Sequence, residues 1–433
     1  MVRLRRAGTQ PAGVSTLELF FDLVFVFTLM QLTGLLEHDL SPVGVLRVLL
    51  LFGVLWWMYG AFAWVTNAAA PTDPGRRVLL VVAMAGFLVM ALALPQITGP
   101  GGLAFGLGYL VVVLVHLALF GLTEAWRAIL RVAPFNLLAA VLVLAAGFLP
   151  GSVRPWLWAV ALAVQIVTPH LGRVVGGDSQ FRIAPDHFVE RHGLLLIVAF
   201  GESVVSLGKG VAGHPVDLRL TATAVLVLAL LAMLWWVYFG AGAVDAAVAR
   251  MRRAEPAQRP RLAVYGFFYS YTPMMLGIVL LSAGVAIGLG HGRPSWPVAA
   301  VTALGIAGYL AGDVCFRRVL SAGPVAVRTC LAVLALGTAP VGRYAGVVAQ
   351  LAALAVLVAA GLAVEAARGP ADPSPVVDGR GPVDQPLVVG GRGPVDQPLV
   401  VDGRGPVDQP LVVEGRGPEG PPAAPDGTVP TGA

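Results

Sequence analysis

The sequence predicts an all-α polytopic membrane protein. It reads as a transmembrane helical bundle of about twelve spans, set as two parallel six-helix repeats, with a disordered C-terminal tail. Three observations carry this. Of 433 residues, 57% are hydrophobic and only 12% charged, about half the charge of an ordinary soluble chain. Apolar runs of roughly 20 residues follow one another, each long enough to cross a hydrocarbon core of about 30 Å. Backbone groups in lipid must bond within their own segment, so runs of this length are helices rather than barrel strands. Finally, a frame recurs. Asp22 precedes Trp56 of Leu55-Trp56-Trp57-Met58-Tyr59 by 34 positions, and Glu202 precedes Trp235 of Leu234-Trp235-Trp236-Val237-Tyr238 by 33.

The expected spans are 16–37, 44–67, 78–98, 103–122, 132–150, 154–171, 192–212, 220–241, 262–290, 297–316, 324–340 and 343–366. They divide the chain into an N-terminal segment 1–15, a first half 16–171, a connecting loop 172–191, a second half 192–366 and a tail 367–433. Arg3, Arg5 and Arg6 before an apolar run superficially resemble a signal peptide. The run is too long, carries Glu18 and Asp22, and lacks a small-residue cleavage site, so it reads as the first span.

Arginines set the orientation. Arg76, Arg77, Arg127, Arg131, Arg173 and Arg182 fall on one side in the first half. Arg250, Arg252, Arg253, Arg259, Arg261, Arg317, Arg318 and Arg328 fall on the same side in the second. The opposite loops hold single arginines such as Arg154, Arg219 and Arg293. Basic loops stay inside, which places both termini in the cytoplasm and the chain in the cytoplasmic membrane. An even number of spans per half gives the halves one orientation, related by an axis along the membrane normal.

The tail has a different composition. Val376–Leu387, Val388–Leu399 and Val400–Leu411 are copies of one 12-residue unit, and a partial copy starts at Val412. Pro and Gly at this density build neither a core nor a regular helix. The tail is expected to be disordered, either dispensable or a docking segment.

Several functions are excluded. Cys315 and Cys330 are the two cysteines and lie in apolar segments, so no disulfide framework is implied. The net charge of +5 reflects basic loops, and no basic, aromatic-interleaved surface suits nucleic acid. No nucleotide-binding loop, nucleophile elbow or zinc signature occurs, so no cofactor, metal or catalytic residue is expected. The expected partners are membrane lipid and a small solute. The oligomeric state is open.

Polar groups inside the spans are the candidate site, because ionisable groups are costly in lipid. Glu18 fits a capping box with Ser15, and a carboxylate there also suits a helix N-terminus. Asp22 lies one turn further on the same face; two close carboxylates repel, and one can hold a proton. A rim arginine is the structural alternative for Asp22. Glu202, counted from a start at His192, falls ten residues or about 15 Å into its span, near the bilayer middle. Ser206 and Lys209 share its stripe, and Gly201 and Gly208 would let another helix approach closely. The alternatives for Glu202 are a buried hydrogen bond or a Glu202–Lys209 pair; the alternative for Lys209 is to snorkel outward. Glu190, Arg191 and His192 crowd the mouth of the same span, as interfacial residues or as a gate controlling access. Trp56, Trp57, Trp235 and Trp236 are either a ligand-stacking aromatic lining or interface anchors. Asp313 has Arg317 one turn away, which makes a local pair. His116, Gln165, His170 and Gln350 read as helix–helix hydrogen bonds.

With these residues in view, Glu18-Leu19-Phe20-Phe21-Asp22-Leu23-Val24-Phe25-Val26-Phe27, Glu190-Arg191-His192-Gly193-Leu194, Gly201-Glu202-Ser203-Val204-Val205 and Leu234-Trp235-Trp236-Val237-Tyr238 resemble the bacterial low temperature requirement A family. The likeness covers roughly residues 14–366. It implies a membrane protein supporting growth in the cold. It also implies histidines at two positions that here hold Tyr271 and Asp313. The leading expectation is a secondary transporter of a small solute, with proton coupling as one option and Glu202 and Asp22 as proton or cation acceptors. Two others stand beside it. One is an intramembrane enzyme acting on lipid or a lipid-linked group, using His187, Glu190 and His192. The other is a non-catalytic membrane protein.

Overall fold

The computed structural model describes residues 13–68, 71, 73–171, 183–210, 217–240, 242–289 and 293–368. The repeat tail and the N-terminal arginines lie outside them. Every regular element among the described residues is a helix. In the first half these are α1 (Thr16–His38), α2 (Pro42–Ala68), α3 (Pro74–Ala93), α4 (Gly101–Gly121), α5 (Trp126–Phe148) and α6 (Arg154–Val167). Then come α7 (Pro185–Gly210), α8 (Leu218–Phe239), α9 (Ala243–Arg253), α10 (Arg259–Ala263), α11 (Tyr271–Leu289), α12 (Trp296–Leu320), α13 (Ala326–Leu336), α14 (Ala339–Ala345) and α15 (Val347–Ala367). Tight 3₁₀ turns extend α3 over Leu94–Gln96 and α6 over Thr168–His170, and a π-wound segment, Val264–Tyr269, joins α10 to α11.

Among the described residues nine helical segments are long and apolar enough to cross a membrane. The expectation was twelve. α6, with 14 residues, and α13, with 11, are about 21 Å and 17 Å long and are not among the nine. α7 has the length, with 26 residues, but carries Asp186, Glu190, Arg191, Glu202 and Lys209. α9, with Arg250, Arg252 and Arg253 in its last turn, was not expected as a separate helix.

Local chemistry explains the helix starts that matter. At α1 the capping box forms as expected. Ser15 N–H donates to Glu18 Oε2 at 3.0 Å, and Glu18 N–H to Ser15 Oγ at 3.4 Å. Asp73 caps α3 by accepting from Arg76 N–H at 3.0 Å, with Pro74 in the first turn. α7 starts at Pro185, seven residues before the expected His192. Proline suits a first turn, where its missing N–H has no partner to lose, and Phe188 N–H closes that turn on Ala184 O at 3.1 Å. The charged run from Asp186 to Arg191 is therefore helix rather than loop. Glu202 consequently lies seventeen residues past the start, about 26 Å along the axis and beyond the middle of α7.

α1 is the pivot of the packing. It contacts α2 and α3 of its own half, and α7 and α11 of the other. The first half continues in order, α3 on α4, α4 on α5 and α5 on α6, with α2 against α6. In the second, α7 packs on α11, α11 on α12 and α12 on α13, with α8 against α15. Glycines permit two of these contacts to be close. A Cβ on Gly108 of α4 would stand 2.9 Å from Gly86 O of α3. A Cβ on Gly305 of α12 would stand 2.9 Å from Gly277 O of α11. Small residues at such crossings are what helix association in lipid selects. Gly201 and Gly208, expected to serve that purpose, do not: a Cβ at either would meet nothing within 4 Å.

Candidate functional site

Two buried acidic sites line the α1–α7 contact. In the first, Arg191 of α7 enters beside the opening turns of α1. Its Nη1 donates to Glu18 Oε1 at 2.8 Å and its Nη2 to Asp22 Oδ1 at 3.1 Å. Thr66 Oγ1, near the end of α2, takes a further Nη1 bond, and the Tyr59 hydroxyl donates to Asp22 Oδ1 at 3.0 Å. The guanidinium lies over the rings of Phe21 and Tyr59, 5.7 and 5.9 Å from their centroids. Arg191, Glu18 and Asp22 are each at most 1% exposed. Glu18 thus caps α1, as expected, and pairs with Arg191 at once. The rim arginine anticipated for Asp22 is Arg191, though fully inside.

His187, one turn before Arg191, completes this cluster. Its Nε2 stands 3.2 Å from Glu18 Oε2. The hydrogen-bond network determines its tautomer. Asn67 Oδ1 accepts the backbone N–H of Ala184 at 2.9 Å, which orients the amide. Asn67 Nδ2 must then donate, to Ala184 O at 3.1 Å and to His187 Nδ1 at 3.2 Å. Nδ1 is therefore an acceptor, and the proton sits on Nε2, directed at Glu18. With His187 neutral, two carboxylates face one guanidinium. Asp22 Oδ2 and Arg191 Nε are buried without a hydrogen-bond partner.

The second site holds Glu202. Its Oε1 accepts a bond from Ser206 Oγ, as the shared stripe implied. Its Oε2 is buried with no hydrogen-bond partner, as is Thr33 Oγ1 of α1. Thr33 and Glu37 of α1 face Glu202, with the Thr33 hydroxyl close to the carboxylate but outside hydrogen-bonding geometry. The neighbouring Ser203 accepts from Ser282 of α11 at 2.8 Å. Lys209 does not pair with Glu202 within salt-bridge range. It reaches Met30 Sδ at 2.7 Å and is exposed. Glu18 and Asp22 face the start of α7, whereas Thr33 faces Glu202, so α1 and α7 run parallel. Eleven residues separate Asp22 from Thr33, so the two acidic sites lie about 16 Å apart along α1. Asp22 and Glu202 therefore do not share one cavity.

The tryptophan pairs part company. Trp56 is buried, stacked on Tyr59 at 5.3 Å and Phe268 at 5.8 Å, and its Nε1–H donates to Phe268 O at 3.2 Å. Trp57 meets Phe268 edge-on at 5.0 Å. Trp235 and Trp236 are 40% and 59% exposed and lie on the surface of the bundle. Asp313 anchors a separate network. Arg317 Nε and Arg328 Nη1 reach its Oδ2 at 3.1 and 2.5 Å, and Arg328 forks onto Glu365 at 2.9 Å twice. Both arginines also cap Val237 O in the last turn of α8. Two acids and two arginines balance, and the cluster ties α8, α12, α13 and α15 together.

The proposed histidine–acid cluster is not assembled. Glu190 is exposed. His192 Nδ1 lies 2.8 Å from Phe188 O, its ring enclosed by Phe188, Phe267 and Tyr271. Among the described residues no three His, Cys, Asp or Glu side chains stand close enough to hold a metal ion. Tyr59, Thr66 and Asn67 were not singled out from sequence. Tyr59 belongs to the repeated Trp-Trp string, which was the available signal; Thr66 and Asn67 offered none.

The motif resemblance is matched by comparison with known proteins. The sequence profile of the bacterial low temperature requirement A protein matches residues 13–366. The chain belongs to this family. The LtrA match takes in both acidic sites and ends just before the repeat tail. A protein of Rhizobium meliloti (strain 1021), itself named only as uncharacterized, is 30% identical over 304 residues, 66% of this chain and 72% of the relative. At the two positions where the LtrA resemblance implied histidine, Tyr271 donates to the Tyr238 hydroxyl at 2.5 Å and Asp313 holds its two arginines.

Proposed function

We propose that this LtrA-family chain is a secondary transporter of a small solute, built from two parallel six-helix halves in the bacterial cytoplasmic membrane, with both termini in the cytoplasm. The observation that carries the reading is the α1–α7 contact. The two half-chains meet there through parallel helices, and both acidic sites lie along it. One site is closed by ion pairs; the other keeps a buried carboxylate oxygen without a partner. Carriers with repeated halves place coupling acids at the interface of the repeats. The matching order of helix packing and the paired Gly86–Gly108 and Gly277–Gly305 crossings support the two-half reading.

In this scheme Glu202 takes up and releases the proton or cation, assisted by Ser206. Arg191, held by Glu18 and Asp22, is the gate at the other end. Releasing Arg191 requires neutralising a carboxylate, and a proton on Asp22 does so. No catalytic group is assigned, because His187 and His192 are committed to structural bonds.

The test uses purified protein in liposomes containing a pH dye, with an imposed membrane potential and pooled cell metabolites. Proton movement that requires both the wild-type protein and a metabolite fraction is the expected result, absent in Glu202→Gln. Normal movement in Glu202→Gln would remove Glu202 from the mechanism. Silence of the folded, oriented wild type would remove proton coupling.

A further inference from the structure

A cavity of about 130 Å³ lies away from both acidic sites, between α2, α4, α5, the turn after α6 and the π-wound segment. Trp57, Trp64 and Phe268 give it aromatic walls, and no charged side chain lines it. Two deeply buried polar side chains, His116 and Asn136, are set among them, each 2% exposed. Both ring nitrogens of His116 are buried without a hydrogen-bond partner. The Ala61 carbonyl faces the ring but stays outside hydrogen-bonding geometry. A neutral imidazole offers one donor and one acceptor, and leaving both unmet in an apolar interior is unfavourable. The network of the α1–α7 contact uses neither His116 nor Asn136.

The wall from the second half is unusual. Val264–Tyr269 is π-wound, a geometry that recurs at functional sites. Its loosened carbonyls are taken by side chains: Phe268 O by Trp56 and Thr272, Tyr265 O by Ser270. The Phe268 ring fills a notch that exists because residue 60 is glycine, since a Cβ there would collide with it. A molecule in the cavity therefore touches both half-chains.

We propose that this cavity binds a small neutral molecule of about one aromatic ring, mostly apolar, whose single hydroxyl or amine pairs with His116. The size is the first argument: an engineered apolar cavity of about 150 Å³ takes up benzene. The second is the unpartnered imidazole, since a hydroxyl both donates and accepts. The absence of charge on the lining completes the match.

The probe is 4-bromophenol, whose bromine quenches tryptophan fluorescence, added to the full chain in lipid nanodiscs. Partition into lipid gives quenching that rises linearly; binding beside Trp57 and Trp64 adds a saturable part. The expected result is saturable quenching that weakens by about tenfold for 4-bromotoluene, which lacks the hydroxyl, and for His116→Phe, which keeps a ring of similar size. Ala61→Leu fills the cavity and abolishes the saturable part. Linear quenching in the wild type, or saturable quenching unchanged in Ala61→Leu, would overturn the assignment of the cavity. Saturable quenching equal for the two probes would overturn the role of His116. If His116→Phe does not fold, the comparison of probes and Ala61→Leu decide. Binding is read without any gradient, so this outcome and the outcome for transport at Glu202 are independent.

Discussion

Arg191 and Asp22, 169 residues apart in sequence, meet at 3.1 Å inside the bundle, and neither is more than 1% exposed. That contact, with Glu18 at 2.8 Å, fastens the start of α7 to the start of α1. Removing one partner of a buried pair leaves an uncompensated charge, whereas removing the whole set does not. Arg191→Met is expected to destabilise the folded bundle by about 3–5 kcal/mol. Adding Glu18→Gln and Asp22→Asn to it should recover most of that loss. Unfolding in mild detergent measures both. A triple variant no more stable than Arg191→Met would show that packing of the arginine, not its charge, holds the contact.

The His187 assignment is testable on its own. Asn67, held by both backbone groups of Ala184, makes Nδ1 of His187 an acceptor and leaves the proton on Nε2. Nitrogen chemical shifts of labelled histidine should report an Nε2–H tautomer in the wild type. Asn67→Leu removes the donor and should return a mixture. A wild type already carrying its proton on Nδ1 would contradict the reading of the amide.

How far the sequence disclosed this site follows from which contacts are local. The pairing of Glu18 with Ser15, of Asp22 with Glu18, of Glu202 with Ser206 and of Asp313 with Arg317 all lie within one turn of one helix. Helical spacing makes such pairs visible. The sequence reads Arg191 as a mouth residue, because the charged run before His192 looks solvent-facing. Pro185 is instead the physical start of α7, and Arg191 turns inward while Asp186 and Glu190 stay exposed. The bonds from Arg191 to Thr66, from Tyr59 to Asp22 and from Asn67 to His187 join different helices, and no periodicity announces them. The helical membrane class was legible because apolar length alone decides it. The count of crossings was less so, because α6 and α13 are too short to register as full spans.

Glycine positions give opposite predictions that a common helix propensity would not. Gly305 faces Leu281 N and Gly277 O, at 2.6 and 2.9 Å from a Cβ placed there. Both neighbours are backbone and cannot rotate away. Gly305→Ala should cost about 1–3 kcal/mol through overpacking. Gly201→Ala meets open space, so it should stabilise α7 by about 0.5–1 kcal/mol through lost backbone freedom in the unfolded chain. Thermal unfolding of the two variants side by side checks the sign. Equal destabilisation of both would mean that Gly201 also lies at a close helix contact.

Glu202 separates structure from function most sharply. Its Oε1 holds Ser206, while Oε2 and the Thr33 hydroxyl are both buried without partners. Glutamine preserves an acceptor for Ser206 and removes a charge that no cation pairs within salt-bridge range. Its amide would also turn a donor toward Thr33 Oγ1. Glu202→Gln should therefore leave unfolding stability within about 1 kcal/mol of the wild type. Arg191→Met, by contrast, should fall well below it. A carboxylate kept only to build the bundle would show the reverse, with a loss of stability comparable to that of Arg191→Met. A stable Glu202→Gln that no longer moves protons in vesicles would mean that the acid is retained for its charge rather than for the fold.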